Sequence, residues 1–442
     1  MLYKTFFKTP PDRHRDMELI DYPEPVCELT NVTNEQIQRA IAQLSPYKAP
    51  GPNGAHNIVF VGCAGLLVSF LGPIFRATFT LEYYPERWKL SSTVVLEKPG
   101  CPDYTATKAY RPITLLDTMA KILSSCIAEN ITFIAKTHRL LPPTHFGGRP
   151  GHTTVDSLYI LTKFAHDAWA HPTEKYVSIL FLDVKVAFPS VVVEKLLHNM
   201  RMKGLPIQYV EWLQRRLNGH RTTLSFDDFL SDPFQIAMGL DQGCPLSLIS
   251  FLFYNGDLIG LTRKRKDQLG LGFIDNTAFA ARGKSLEEAN QKSKKIMEDD
   301  KGALEWGREH ESEFKLNKTA PLCVTHGRIP DPNHRGKSIL VPRPSLTIQG
   351  HRIELSKLCK FLGVILDEEL IFKEHAAYAL TKGTKYILAC GRMTRVSKGI
   401  RGKMMKKLYE GVAIPKMLYA INVWGTELLR KGRGKREKGW GA

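Results

Sequence analysis

The chain has 442 residues, and its 62 lysines and arginines outnumber 44 acidic residues, giving a formal net charge of +18. This length exceeds one compact core, so two or three domains are expected, and 43% hydrophobic residues exclude a low-complexity or fibrous protein. The positive charge favours a polyanionic partner, nucleic acid first and an anionic membrane surface second, and a merely basic protein is the plainer alternative.

The eight cysteines are scattered along the chain, and no two of them have the close spacing of a zinc site. The sequence shows no signal peptide. We therefore expect reduced thiols and an intracellular location, in the nucleus or the cytoplasm.

The N-terminal segments predict a helical extension behind a loose arm. Residues 1–28 read as the arm, and 29–44 read as a helix with Thr33 as its N-cap. Residues 58–75 are long and apolar enough to be a marginal membrane span. The pair Gly72-Pro73 favours a buried helix that ends there, so no stable membrane association is expected.

The middle of the chain alternates short strands with helices. Residues 93–96 predict a strand, 110–136 a helix after Pro112, and 146–170 a glycine-rich loop followed by a helix. The apolar run from Val177 to Leu182 has the length and branching of a buried strand.

The later segments continue this alternation. Residues 190–205 predict a helix, 211–226 a basic helix leading into a strand, 239–261 a loop followed by an apolar helix, and 271–283 a hairpin with Asp275 and Asn276 at its tip.

The last segments predict an amphipathic helical stretch (286–310), a strand (357–367) and a basic helical region from about 368 to a disordered tail. The whole order predicts an α+β palm with flanking helical modules.

Two carboxylates in this arrangement suggest a chemistry. Asp183 closes the buried strand, and Asp275 lies on the later hairpin. Two acids on rigid elements suffice to bind Mg²⁺ for nucleotidyl transfer, in which one ion activates a hydroxyl and another neutralises a triphosphate. The alternative is an ordinary turn, since Asp and Asn both tolerate turn geometry.

Eight motifs, in order over about residues 29–425, resemble the reverse transcriptase of non-LTR (LINE-type) retrotransposons. They are YKAPGPNG (47–54), VVLEKPG (94–100), YRPITLL (110–116), FGGRPGHTTVD (146–156), FLDVKVAF (181–188), GLDQGCPLS (239–247), GFIDNTA (272–278) and KFLGVILD (360–367).

The resemblance implies a right-hand polymerase fold of fingers, palm and thumb that makes DNA on an RNA template. We divide the chain into an N-terminal arm and helical extension (1–78), fingers and palm (79–366), and a helical thumb-like region with a basic C-terminal tail (367–442). The implied partners are an RNA template, a DNA primer and dNTPs, and the implied cofactor is Mg²⁺, for which Mn²⁺ may substitute.

The resemblance also implies residue roles. Asp183 and Asp275 would bind the metal, with Asn276 beside them in the catalytic site and the Val184 carbonyl nearby.

The nucleotide would be bound by a second group of residues. Phe188 would exclude a 2′-hydroxyl, Gln242 and Gly243 would line the nucleotide pocket, and Lys98 and Arg111 would hold the triphosphate.

A third group would contact nucleic acid. It comprises Arg149, Lys318, Phe361 and Gly363, the last two in the primer grip.

Plainer interpretations stand beside several of these roles. Lys98 and Arg111 could be solvated loop charges, and Phe188 could belong to the core. Arg215, Arg216 and Arg221 could contact phosphates or lie on a solvated face.

The motifs also depart from the family pattern. Asn276 replaces a second aspartate, Val186 a glycine, Asp241 and Leu248 two prolines, and Gly148 an aromatic residue; Pro189 stands where the family has Asp or Asn.

These departures leave three functions open. The leading one is an RNA-directed DNA polymerase. The second is a catalytically inactive relic that binds nucleic acid through its charge, and the third is an RNA-templated polymerase with a different product. The sequence shows no endonuclease, RNase H or zinc-knuckle motif, so we expect one piece of a longer ancestral product.

Overall fold

The computed structural model describes residues 2–8, 20–183, 187–262, 267–312, 314, 319–393 and 399–425. The chain divides into two compact units. Unit 1 comprises 1–151, 184–260 and 303–314, and unit 2 comprises 152–183, 261–302 and 315–442. Both units mix helices with sheet, as the α+β prediction requires.

The helices, in chain order, are α1 (Leu2–Phe6), α2 (Asn34–Ala42), α3 (Asn57–Gly62), α4 (Ala64–Thr80), α5 (Thr118–Thr137), α6 (Thr154–Ala170), α7 (Val193–Met202), α8 (Ile207–Leu217), α9 (Pro245–Gly260), α10 (Leu286–Glu298), α11 (Ala303–Glu309), α12 (Lys373–Met393), α13 (Gly402–Leu408) and α14 (Ile414–Met417).

The strands are β1 (Leu90–Glu97), β2 (Tyr110–Leu116), β3 (Tyr176–Asp183), β4 (Arg221–Phe226), β5 (Phe229–Leu230), β6 (Phe234–Gln235), β7 (Gln268–Phe273), β8 (Asn276–Gly283), β9 (Ala320–Val324), β10 (Arg328–Pro330), β11 (Ser338–Leu340), β12 (Leu346–Ile348), β13 (His351–Ile353), β14 (Leu358–Phe361) and β15 (Val364–Asp367).

The sheet of unit 1 has the order β2-β1-β4-β5, with β6 paired to β4. Strand β2 corrects the prediction of a helix directly after Pro112, because the helix begins only at Thr118. Pro112 belongs to β2, the edge strand of this sheet, and lies opposite Val95 of β1. An edge strand tolerates proline because its outer side needs no ladder hydrogen bond.

At the N-terminus of unit 1, residues 2–6 form a helix, which corrects the prediction of a loose arm for this part of the segment 1–28. Phe6 is buried against Val95 and Leu224. The ring of Phe7 meets that of Phe234 edge-on, with centroids 4.9 Å apart. The aromatic residues of this segment therefore anchor it on the sheet.

The apolar segment 58–75 becomes α3 and α4 rather than one helix that stops at Gly72-Pro73. Pro73 lies inside α4, which continues to Thr80 because Phe75 and Thr78 are buried along the same helix. No described helix combines the length and apolar character needed to cross a bilayer. The predicted α2 helix is confirmed, and Thr33 and Gln36 form a capping box at its N-terminus.

The sheet of unit 2 has the order β7-β8-β3-β9, and neighbouring strands are antiparallel. Strand β3 is buried as predicted; Ile179 and Leu180 are at most 1% exposed. The segment 357–367 forms two strands rather than one. The turn at Leu362 and Gly363, both with positive φ, separates β14 from β15. Positive φ at both central residues is typical of a tight hairpin.

Two buried histidines of unit 1 predict an acid-sensitive fold. The His145 Nε2 lies 2.9 Å from the Asn255 Oδ1, and the His310 ring stacks on Trp306 with centroids 4.3 Å apart. Burial lowers the pKa of His145 to about 4 and the pKa of His310 to about 4. A histidine in an unfolded chain titrates near about 6.5.

Between these pH values the unfolded chain binds protons that the folded unit does not, so the free energy of unfolding falls as pH falls from about 6.5 to about 4. We expect a loss of at least about 2 kcal/mol in urea titrations across this window. Replacing His145 and His310 with glutamine should reduce this dependence and leave the part due to the buried His220, whose pKa burial also lowers. Replacing the exposed His351 should leave the dependence unchanged. An equal slope in both variants would contradict the assignment.

Candidate active site

The β7–β8 hairpin of unit 2 carries the acid–amide pair found in the sequence. Phe273 pairs with Asn276, so Ile274 and Asp275 form the two-residue turn. The prediction that both Asp275 and Asn276 lie at the tip is therefore corrected, because Asn276 begins β8. The Asn276 Nδ2 donates a hydrogen bond of 3.0 Å to the Asp275 Oδ1.

The turn at this hairpin holds an uncommon backbone conformation. Ile274 has a φ of 58°, which β-branched residues rarely adopt. Such strain persists only where surrounding structure holds it, and it concentrates at functional sites. The hairpin therefore presents Asp275 from a strained turn between two strands.

The register of the sheet brings the other acid to the same place. Asp183 is the last residue of β3, and its Cα partner on β8 is Asn276. Directly opposed residues of antiparallel strands have Cα atoms about 4.5–5.5 Å apart. The backbones of Asp183, Asp275 and Asn276 therefore converge at one end of the sheet.

The side chain of Asp183 and the residue Val184 lie outside the described part of the chain. Among the side chains that are described, no three acidic, histidine or cysteine residues cluster as a metal site. The oxygens that the hairpin does offer, a carboxylate and an amide carbonyl, are hard donors of the kind that Mg²⁺ binds.

In unit 1, a six-residue loop (239–244) joins several predicted nucleotide-binding residues. The Leu240 backbone N–H donates to the Phe188 carbonyl at 2.9 Å, and the Thr114 N–H donates to the Gln242 carbonyl at 2.8 Å. A Cβ at Gly243 would lie 2.8 Å from the Thr114 carbonyl oxygen, so glycine permits the close approach of loop and strand.

Phe188 is half-buried in a short 3₁₀ turn, and its ring lies 5.0 Å from that of Phe251 between centroids. Phe188 therefore packs against the core without being fully buried. The hydrogen bond to Leu240 couples its backbone to the loop that carries Gln242.

The two predicted triphosphate contacts lie at the end of one hairpin of unit 1. Arg111 is exposed on β2, opposite Leu96 of β1. Lys98 follows β1 directly; its backbone N–H donates to the Ala109 carbonyl, and its carbonyl accepts from the Tyr104 hydroxyl. The register of β1 and β2 therefore brings the backbones of both cationic residues to the same end of this strand pair.

Arg149 turns back into its own loop. The Arg149 Nη1 donates to the carbonyl of Pro142 at 2.9 Å and to that of His145 at 3.0 Å. Burial lowers the pKa of Arg149 from its ordinary value. In this conformation its guanidinium stabilises the glycine-rich loop, and contact with a template stays a prediction.

Arg216 corrects the interpretation of a phosphate-contacting or solvated arginine. Its Nη2 donates to the Asp241 Oδ2 at 2.7 Å, and both side chains are 5% exposed. The burial follows from helical spacing, because Arg216 lies one turn after the buried Trp212 of α8. An isolated acid in the apolar segment GLDQGCPL was the sequence signal for such a partner.

Two other departures from the family pattern touch each other. Gly148 has a φ of 70°, and a Cβ there would lie 2.7 Å from the Leu248 Cγ and Cδ2. Leu248 therefore occupies the space next to Gly148 that a larger side chain would need. The two residues fit together in the same packing arrangement.

The predicted primer grip is the β14–β15 hairpin of unit 2. Phe361 is buried, and its ring lies 4.9 Å from that of Phe181 between centroids. The Tyr419 hydroxyl hydrogen-bonds to the Leu362 carbonyl at 2.9 Å, and the Tyr419 ring would lie 3.1 Å from a Cβ at Gly363. Lys318 lies outside the described residues.

Comparison with known proteins identifies the family independently of the site geometry. Residues 96–366, more than half of the chain, match the family model "Reverse transcriptase (RNA-dependent DNA polymerase)". The chain is 26% identical over 396 residues to "Probable RNA-directed DNA polymerase from transposon X-element" of Drosophila melanogaster, covering 88% of this chain and 41% of that relative.

Two further Drosophila melanogaster relatives give the same result, each 24% identical. The RNA-directed DNA polymerase from mobile element jockey aligns over 90% of this chain and 42% of its own length, and the probable one from transposon BS over 88% and 42%. The chain thus spans about two fifths of the length of these curated relatives. The resemblance drawn from the eight motifs is confirmed, and the chain belongs to the reverse transcriptase (RNA-dependent DNA polymerase) family.

Proposed function

We propose that the chain is an RNA-directed DNA polymerase that extends a DNA primer on an RNA template with dNTPs. The observation that carries this proposal is the register of β3 and β8, which sets Asp183 opposite Asn276 and beside the Asp275 turn. Two acids at one sheet end, in a chain of this family, support phosphoryl transfer better than they support a binding function.

In this proposal, the β7-β8-β3-β9 sheet of unit 2 is the palm, the sheet of unit 1 belongs to the fingers, and helices α12 to α14 form the thumb. Exposed cations on the thumb helices support a contact with nucleic-acid backbone. These cations include Lys382, Lys385, Arg392, Lys403 and Lys406.

Asp183 and Asp275 would hold Mg²⁺, or Mn²⁺ in its place, through carboxylate oxygens. The bound ions would supply Lewis-acid stabilisation of charge on the attacking hydroxyl and the triphosphate. Arg111 and Lys98 would orient the triphosphate by charge-assisted hydrogen bonds. Phe188 would lie under the sugar, and Gln242 beside the base or the sugar.

The test is extension of a labelled DNA primer annealed to RNA, with binding of the same hybrid measured in parallel. Extension by the natural chain supports the proposal. Binding without extension in either Mg²⁺ or Mn²⁺ favours the inactive relic. Extension with ribonucleotides in preference to dNTPs favours an RNA-copying enzyme.

Phe188→Val is expected to relax sugar selection, because the smaller side chain leaves room for a 2′-hydroxyl. We expect the ratio of ribonucleotide to deoxynucleotide kcat/KM to rise at least about tenfold. The matched control is Phe251→Leu, at the ring that contacts Phe188 from the core side. Unchanged selectivity in Phe188→Val would assign Phe188 to the core alone.

Asn276→Asp is expected to raise the extension rate in Mg²⁺ by about tenfold, which corresponds to about 1.4 kcal/mol. The added carboxylate lies on the Cα partner of Asp183 and increases the negative charge available to two dications. Asn333→Asp, the same charge change on the exposed β10–β11 connection, is the control. Equal rates in Asn276→Asp and the natural chain would show that another departure limits the rate.

A further inference from the structure

The loop 239–244 of unit 1 is bound on two sides but lacks regular secondary structure. On one side, the Leu240 N–H donates to the Phe188 carbonyl. On the other side, the Gln242 carbonyl accepts from Thr114 of β2, the strand that also carries Arg111. The conformation of this loop therefore sets the position of Gln242 relative to Phe188 and to β2.

Asp241 lies in the middle of this loop, and its carboxylate is buried. A buried carboxylate is costly unless a partner compensates it, and Arg216 provides that partner at 2.7 Å. The same Arg216 Nη2 lies 3.3 Å from the Cys244 Sγ. One guanidinium therefore contacts the residues on both sides of the Gln242–Gly243 turn.

Arg216 is itself held by a rigid element. It belongs to α8, whose Trp212 is fully buried and donates from its Nε1 to the Thr78 Oγ1 at 2.9 Å. In contrast, Gly243 has a φ of 131°, a conformation open to glycine and to few other residues. The Arg216 guanidinium, which α8 fixes in place, therefore contacts a turn whose glycine backbone has little conformational preference of its own.

Stability alone does not account for this pair. A buried ion pair can often be replaced by apolar side chains of similar volume with no loss of stability, because desolvation offsets the attraction between the charges. What an apolar pair lacks is direction, since the N–H donors of a guanidinium fix the acceptors that they contact. The arrangement therefore points to control of loop geometry.

We propose that Arg216 is a positioning residue that acts through Asp241 and Cys244 to hold the Gln242–Gly243 turn in the shape that receives the incoming nucleotide. The inference rests on the proposed polymerase function and deepens it. Arg216 does not touch the nucleotide in this assignment. Its contribution is to nucleotide binding rather than to the chemical step.

The main test is the paired variant Arg216→Met with Asp241→Leu, which removes both charges and keeps the volume. We expect a melting temperature close to that of the natural chain and unchanged hybrid binding. We expect the KM for dNTP to rise at least tenfold, with kcat changed less than threefold. A KM equal to that of the natural chain, in a folded paired variant, would overturn the proposal.

Two single variants complete the series. Arg216→Lys keeps the charge and loses the planar fork, so its KM is expected to rise at least threefold even if the paired variant does not fold; an unchanged KM counts against the proposal. Gln214→Met, at an exposed position of the same helix, is the control, and its KM is expected to stay unchanged.

A readout that needs no polymerase activity separates this inference from the proposed function. Cys244 is buried beside Arg216, so its alkylation, followed by mass spectrometry of its peptide, reports opening of the turn. We expect at least fivefold faster alkylation of Cys244 in the paired variant, with the buried Cys126 of α5 unchanged as the internal reference. If the natural chain extends no primer, the polymerase proposal fails, and equal Cys244 alkylation would then overturn the positioning role separately.

Discussion

Asp183→Asn is expected to reduce primer extension at least about 10³-fold, which corresponds to about 4 kcal/mol of transition-state stabilisation. The substitution keeps the shape of the side chain and removes its charge. Asp183 stands opposite Asn276, a neutral residue, so Asp275 is the other carboxylate that the described part of this sheet end offers to a dication. Loss of one carboxylate there should remove metal binding rather than weaken it slightly.

The measurement is single-turnover extension in Mg²⁺ and in Mn²⁺, with hybrid affinity and melting temperature followed in parallel. Asp183→Glu tests whether the position of the carboxylate matters, because it retains the charge but places it one methylene further from the backbone. Asp232→Asn, at an exposed position of unit 1, controls for a general charge effect. If Asp183→Asn extends the primer at more than a tenth of the natural rate, the proposed role of Asp183 as a metal-binding catalytic carboxylate is contradicted.

The sequence predicted the part of this site that depends on regular spacing. A buried apolar run ending in an acid identified β3, and an acid between two apolar stretches identified the β7–β8 hairpin. The one-residue error at the tip arose because Ile274 takes a positive φ, which propensities disfavour for a β-branched residue. Which residue forms the turn depends on strand register, and pairing partners decide register.

Errors elsewhere have the same physical origin. The sequence predicts a helix after Pro112, yet the edge position of β2 accommodates this proline in a strand. The sequence predicts one strand over 357–367, yet positive φ values at Leu362 and Gly363 form a hairpin. In each case a local preference is overruled by a tertiary contact that the sequence does not contain.

The departures from the family pattern also look different once packing is known. Asp241 has a buried partner in Arg216, and Leu248 packs at Gly148. Three of the substituted positions, Asp241, Leu248 and Gly148, therefore have matching contacts with other residues of this chain. Contacts of this kind show that the fold of unit 1 accommodates these substitutions, and the primer-extension test distinguishes an active polymerase from a folded, inactive relic.

Arg216→Met alone is expected to lower the free energy of unfolding of unit 1 by about 3–5 kcal/mol, because it leaves the buried Asp241 carboxylate without its charged partner. Adding Asp241→Leu should recover most of that loss, since the paired variant buries neither charge. Because the chain has two units, a unit-specific probe is needed. Alkylation of the buried Cys126 across a urea series at pH 7 provides one.

The sign of the coupling energy between the two substitutions distinguishes a direct charge interaction from packing of the Arg216 side chain. If the charges interact directly, the second substitution offsets the first, and the two effects are far from additive. If Arg216 mattered only through its aliphatic stem, methionine would restore the packing and the single variant would lose little. Additive losses in the paired variant would mean that Asp241 draws its stabilisation from elsewhere, and the 2.7 Å contact would then contribute little to the fold.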